Sequence, residues 1–227
     1  MRFVVRDRRT GNLGTLTVTV PNPARDALQA AQAEETTTLR ESQAQMDRTR
    51  KGYLSALDGP IRSFGSIVSQ PGAMCGDVYE LPVNTPKLPD FWSLESIGTV
   101  YTYELDVPAQ SIKNSSAIPG VTAKVDWFGV DYYGEFNIKT AGDYTFQLFT
   151  DDGAKLFIDG ELLIDLDGLH DVLGREAPVH LDVGRHTIHL PYIQGPGGLA
   201  LILLIKPSGE EYRVFNLQDF SLPAETS

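Results

Sequence analysis

The chain is poor in cysteine: its 227 residues include one, Cys75. No intrachain disulfide can form, so the fold must rest on its core and not on covalent staples. No apolar run is long enough to span a bilayer, so helical membrane insertion is not expected. The opening Met1–Asp7 lacks the apolar core of a secretory signal. Either the export address lies upstream of these residues or the protein is cytoplasmic. Positive charge is also scarce, with 19 Lys and Arg against 30 Asp and Glu and a net charge of -11. Such a chain repels nucleic acid and anionic membranes, and it suits cation binding and solubility outside the cell. Catalytic signatures are missing as well. There is no G-x-S-x-G, no Cys-His signature and no H-E-x-x-H. Gly195-Pro196-Gly197-Gly198 has neither the following Lys nor the helix of a phosphate loop. No residue is assigned a catalytic role, and the sequence reads as a non-enzyme.

The composition is that of a globular protein, 41% hydrophobic. Residues 1–22 read as a hairpin, Arg2–Arg6 and Thr15–Val20 around a turn-rich Asp7–Gly14. Residues 23–57 read as one long helix, rich in Ala, Gln, Glu and Arg. Leu39, Met46 and Tyr53 fall seven apart, a spacing that allows self-association through 24–57; a stalk or spacer is the other reading. Residues 58–98 are punctuated by Pro and Gly but carry Ile61, Phe64, Phe91 and Trp92, so they read as an irregular linker packing on the domain downstream. From 99 to 220 the pattern is of short strands separated by turns, which predicts an antiparallel β-sandwich.

The densest signal is Tyr144–Gly160. Tyr144, Phe146 and Leu148 alternate onto one face of a strand, and Asp159-Gly160 has the chemistry of a type I′ hairpin turn. Between them lies Asp151-Asp152-Gly153. Two readings apply to the paired acids: turn chemistry closed by Gly153, or two carboxylates converging on a hard cation or a sugar. The late histidines do not assemble a metal site. His186 and His189, three apart on a strand, face opposite sides, and His186 shares a face with Ile188 and Leu190, as a hydrogen-bonded core residue would. Asp165-x-Asp167-Gly168 fails as a calcium loop, because alignment on the glycine puts Leu163 and Gly174 where acids belong.

Gly142-Asp143-Tyr144-Thr145-Phe146, Asp151-Asp152-Gly153, Phe157-Ile158-Asp159-Gly160, Gly184–Ile188 and the apolar Leu199–Leu204 together resemble the protective-antigen-type ("PA-fourteen") domain family. The likeness runs over about residues 100–215. It implies a β-sandwich preceded here by the hairpin and the helix. It further implies a recognition module for glycans at a cell surface or outside the cell, with a site at one end of the sandwich. The resemblance implies that Asp151 and Asp152, joined by a cis peptide, hold Ca²⁺. Asp151, Asp152, Gly153 and Gln194, the last on the loop 193–198, then form the ligand-binding set. The family also allows an architectural role in a larger surface or secreted protein, or service as an accessory domain of a glycoside hydrolase.

Overall fold

The computed structural model describes residues 2–6, 9–10, 13–17, 64–111 and 118–220. The chain divides into two units, Met1–Thr49 and Arg50–Ser227. In the first, β1 (Arg2–Arg6) and β2 (Leu13–Thr17) pair antiparallel, Arg2 opposite Thr17 and Arg6 opposite Leu13. This is the expected hairpin, with its second strand starting two residues earlier than the sequence suggested. The helix expected over 23–57, and self-association through it, lie outside the described residues.

The second unit is built of β3 (Met74–Glu80), β4 (Gly98–Thr102), β5 (Asp106–Ser111), β6 (Phe128–Ile138), β7 (Gly142–Asp151), β8 (Ala154–Ile158), β9 (Glu161–Leu166), β10 (Leu173–Leu181), β11 (Gly184–Gln194), β12 (Gly198–Pro207) and β13 (Arg213–Val214). Single 3-10 turns at Phe91–Ser93 and Leu217–Phe220 complete it. One sheet runs β10-β7-β12-β13 with β5 also on β12, and the other runs β4-β3-β6-β11-β8-β9. Every pairing is antiparallel. Among the described residues there is no α-helix, and no helix long and apolar enough to cross a membrane.

Alternation explains the layering. On β7, Tyr144, Phe146 and Leu148 enter the space between the sheets. β12 reads as a continuous apolar run because both its faces are covered. Leu199, Leu201, Leu203 and Ile205 join the main core, while Ile202 and Leu204 pack with Phe149 on the opposite face. The core is aromatic at one end, where Phe136 and Phe146 meet Phe215 edge-on with ring centroids 5.3 and 5.5 Å apart. Asp159 and Gly160 have φ of 53° and 81°, the left-handed pair that a type I′ turn between β8 and β9 requires.

One boundary needs correction. Residues 58–98 are not wholly an irregular linker, because Met74–Glu80 is strand β3, held between β4 and β6. The strand hides from sequence reading because its inward positions are Met74, Gly76 and Val78. A Cβ on Gly76 would stand 2.6 Å from the Tyr132 ring, so the ring takes the space where an apolar side chain would have announced a strand. Among the other described residues of the segment, Phe91 is buried against Tyr79, Leu81 and Ile193, while Trp92 is exposed.

Candidate functional site

β7 ends at Asp151 and β8 begins at Ala154, so the connection is Asp152-Gly153, and the Asp151–Asp152 peptide is cis. Both acids are nearly enclosed, at 8% and 4% exposure, unusual for carboxylates. Asp152 ties two loops together. Its Oδ1 accepts from the His170 N–H at 2.9 Å, and its Oδ2 accepts from the Gly195 N–H at 2.6 Å. The first loop joins β9 to β10 and the second joins β11 to β12. Gly153 completes the junction, its carbonyl accepting from the Ile193 N–H at 2.8 Å. It has to be glycine, since an added Cβ would lie 2.6 Å from the Gly168 carbonyl oxygen.

The β9–β10 loop is fixed independently. The His170 ring nitrogens lie 2.8 and 2.9 Å from the Leu166 and Asp171 carbonyls. Asp167 accepts from the Leu88 N–H at 2.7 Å, and Lys155 pairs with Asp165 and Asp167 at 3.5 and 3.2 Å. Asp165 and Asp167 are therefore matched by a lysine. The cis pair is not. Burial first, then the charges of Asp152 and Asp171, push the Asp151 carboxyl up to about 6, with His170 opposing. Asp152 is also raised by burial, against the N–H groups of Gly195 and His170, which favour its charged form. Asp151 is thus a carboxylate pressed by negative neighbours, and among the described residues no hydrogen bond reaches its side chain. A hard cation would complement it.

The structure brings Asp151, Asp152 and Gly153 to one end of the sandwich together with the loop after Gln194. The Gln194 side chain, however, does not belong to a ligand site. It is 1% exposed, its Nε2 donates to the Gly195 and Gly198 carbonyls at 2.8 and 2.6 Å, and its Oε1 accepts from the Tyr192 hydroxyl. The same hydroxyl reaches the Asp151 carbonyl at 2.6 Å. Gln194 is an internal strut that shapes the loop, because its amide is consumed where a ligand residue would need it free. Sequence reading missed the backbone N–H groups of His170 and Gly195. Only the glycine-rich Gly195–Gly198 hinted at a loop that could approach so closely.

The histidines behave as structural groups. His186 sits 2.6 Å from Asp159 and 2.9 Å from the Asp182 carbonyl, His189 lies 2.7 Å from Asp131, and His180 lies 2.8 Å from Asp143. Among the described residues, no group of three or more His, Cys, Asp or Glu side chains is gathered to hold a metal. Any ion at the cis pair would draw its remaining oxygens from backbone and ligand.

A family model described as "PA14 domain" matches residues 94–201. No curated protein matches the chain. Among solved structures, the "PA14 sugar-binding domain from RTX adhesin" is similar at TM-score 0.52 and 17% identity, over 65% of this chain and 96% of that one. The PA14 domain of the MpAFP antifreeze protein is similar at TM-score 0.54 and 20% identity, over 66% and 93%. An anti-sigma factor domain-containing protein from Clostridium clariflavum is similar at TM-score 0.51 and 20% identity, over 73% of this chain and 53% of that one. At these identities the likeness establishes the fold.

Proposed function

We propose that the sandwich, whose residues 94–201 match the PA14 domain model, is a non-catalytic carbohydrate-recognition module working through the Asp151–Asp152 end. One observation carries the reading: two adjacent, largely buried carboxylates, of which Asp152 is clamped by N–H groups from two loops while the Asp151 side chain has no hydrogen-bond partner among the described residues. A turn device has no need to hold a second carboxylate, largely enclosed and without a hydrogen-bond partner among the described residues, beside Asp152. The similar domain from the RTX adhesin is described as sugar-binding, which supports the reading. Display at a cell surface or outside the cell belongs to the same proposal.

The carboxylate pair fits Ca²⁺, which takes roughly six to eight oxygen ligands. Asp151 and Asp152 would hold the ion, whose contribution is to offer open positions to vicinal sugar hydroxyls. Gln194 takes no part. What the chain itself supplies is the fixed frame. Asp152 holds the loops at Gly168–Asp171 and Gly195–Gly198 against the pair, and Gly153 lets them meet. Titration calorimetry of calcium into the wild type and into Asp151→Asn/Asp152→Asn tests the site, alongside a glycan array with and without calcium. Heat and calcium-dependent glycan binding are expected from the wild type alone. Equal heats from both proteins, with no glycan bound, would make the pair a turn device and leave the sandwich an architectural part.

A further inference from the structure

At the side of the sandwich, the chain leaves the six-stranded sheet at the end of β4 and enters the five-stranded one at β5. The crossing, Tyr103–Leu105, is fixed from both flanks. The Leu217 N–H donates to the Tyr103 carbonyl at 2.9 Å, and the Leu203 N–H donates to the Leu105 carbonyl at the same distance. On the other flank Ser66 and Tyr101 exchange backbone hydrogen bonds at 2.9 and 2.8 Å. These three segments enclose a cleft of about 450 Å³. Tyr101, Tyr103, Glu104, Asp106, Asn216 and Gln218 give it its chemistry, and it shares no residue with the Asp151–Asp152 end.

The polar groups of the cleft are held in place before any ligand arrives. Asn216 Nδ2 donates to Glu104 Oε2 at 2.9 Å, and Asn216 Oδ1 accepts from the Gln218 N–H at 2.9 Å. Thr102 Oγ1 donates to the Glu104 carbonyl at 2.6 Å and accepts from its N–H at 3.3 Å. Glu104 is thus fixed through backbone and side chain. Its Oε1 and the Tyr101 hydroxyl have no partner among the described residues. Rotamers locked by second interactions in this way reduce the ordering cost of binding.

The lining also says what would not bind. Among the described residues no Lys or Arg faces the cleft, and Glu104 and Asp106 do, so these walls disfavour phosphate, carboxylate and acidic sugars. Among the described residues no aliphatic side chain lines it, so these walls offer nothing to a lipid chain. Aromatic faces beside fixed carboxylate and amide groups suit a neutral polyhydroxylated ring. Its C–H face rests on tyrosine, and a neighbouring hydroxyl donates to Glu104 Oε1. The volume lies toward the small end of ligand pockets, roughly 300–1,000 Å³, and accommodates one or two sugar rings.

We propose that this cleft is a second carbohydrate site, for a neutral mono- or disaccharide unit, independent of calcium and of the cis pair. It does not rest on the function assigned to Asp151 and Asp152. If both sites bind, one module holds a glycan at two points, and avidity multiplies two weak affinities.

Amide chemical-shift mapping of the isotope-labelled full chain in EDTA tests the proposal, with glucose, galactose, mannose, N-acetylglucosamine, lactose and cellobiose as probes. Saturable shifts are expected at Ser66, Tyr101–Asp106 and Asn216–Gln218 with at least one sugar. Glu104→Gln, which keeps the side chain's shape, should weaken that binding about ten-fold or more through loss of a charged acceptor. Tyr101→Ala should abolish it, and Asp151→Asn should leave it unchanged. Arginine amide serves as the cationic control. The proposal is overturned if no sugar shifts these amides, if the shifts fall only at residues 151–153 and 193–198, or if arginine amide outcompetes every sugar.

Discussion

Substituting Gly153 with alanine adds one methyl group at the point where three loops meet. The Cβ would stand 2.6 Å from the Gly168 carbonyl oxygen, 2.7 Å from the Gly168 nitrogen and 3.2 Å from Ile193 Cγ1. Two of the three neighbours are backbone, so the β9–β10 loop must move by several tenths of an ångström or more. That loop carries the His170 N–H, 2.9 Å from Asp152 Oδ1. Overpacking costs about 1–3 kcal/mol, and a weakened hydrogen bond to a charged acceptor adds part of about 1.5–3 kcal/mol. Because one displacement relieves both, the total is about 2–4 kcal/mol, not their sum. For a domain of this size each kcal/mol lowers Tm by about 2–4 °C, so a fall of about 5–15 °C is expected. Gly142→Ala makes the same chemical change at the other end of β7, where a Cβ would meet nothing within 4 Å. It should be neutral or stabilise by up to about 1 kcal/mol. Calorimetric melts of both variants, with glycan binding measured in parallel, provide the test. If Gly153→Ala melts within about 2 °C of wild type, or if the two variants behave alike, the loop does not dock on Gly153 and the site geometry is wrong.

Phe146→Ala empties a fully enclosed position among Phe136 and Phe215 and should cost about 3–5 kcal/mol in denaturant unfolding. A cost below about 1 kcal/mol would place the ring at the surface. Asp159 and the Asp182 carbonyl raise the His186 pKa above its ordinary 6.5 despite the opposing effect of burial, and His186 lowers that of Asp159 below 3.8 although burial works against it. The raised group stabilises the fold fully below pH 6.5 and loses that contribution as pH rises through its folded value. The depressed one stabilises above pH 3.8 and loses its contribution as pH falls through its folded value. The stability gap between wild type and His186→Gln should therefore be widest between pH 3.8 and 6.5 and narrow at alkaline pH in urea titrations. Removing residues 1–57 should leave a cooperative thermal transition, because every described residue of the main core lies at Phe64 or beyond; a broad, non-cooperative melt would put the missing segment in the core.

The sandwich was legible where side chains state their burial. β7, β8 and β11 alternate openly, and Tyr144, Phe146, Leu148, Ile188 and Leu190, grouped on shared faces by that alternation, are all buried. β3 was not legible, because its central inward residue is Gly76, and a glycine reads as a turn unless one knows that Tyr132 covers it. β10 carries little side-chain signal. Arg175, Glu176 and Pro178 suit an edge strand, and Gly174 leaves room for the Phe149 ring. At the site, sequence and resemblance together pointed to the acidic pair, but not to the groups that hold it. Those that hold Asp152 are backbone N–H donors, which nearly every residue carries and no side-chain pattern advertises. Gln194 was misjudged for a related reason. Its position on the loop follows from sequence, but its inward rotamer follows from Tyr192 and two carbonyls contributed by the folded loop.

The place of β3 decides how large a piece can be moved between proteins. The family match opens at residue 94 and closes at 201, yet the sheet needs Met74–Glu80 between β4 and β6, and the core needs Phe215 and Phe220 beyond the far limit. A graft cut at the matched limits would strand β4 without a neighbour and bare the backbone edge of β6 along most of its length. Such an edge recruits other chains. The described core is wider than its recognisable signature, running from Phe64 to Phe220. Shuffling this module into a new host, in a genome or at the bench, succeeds only when the unremarkable residues on either side travel with it.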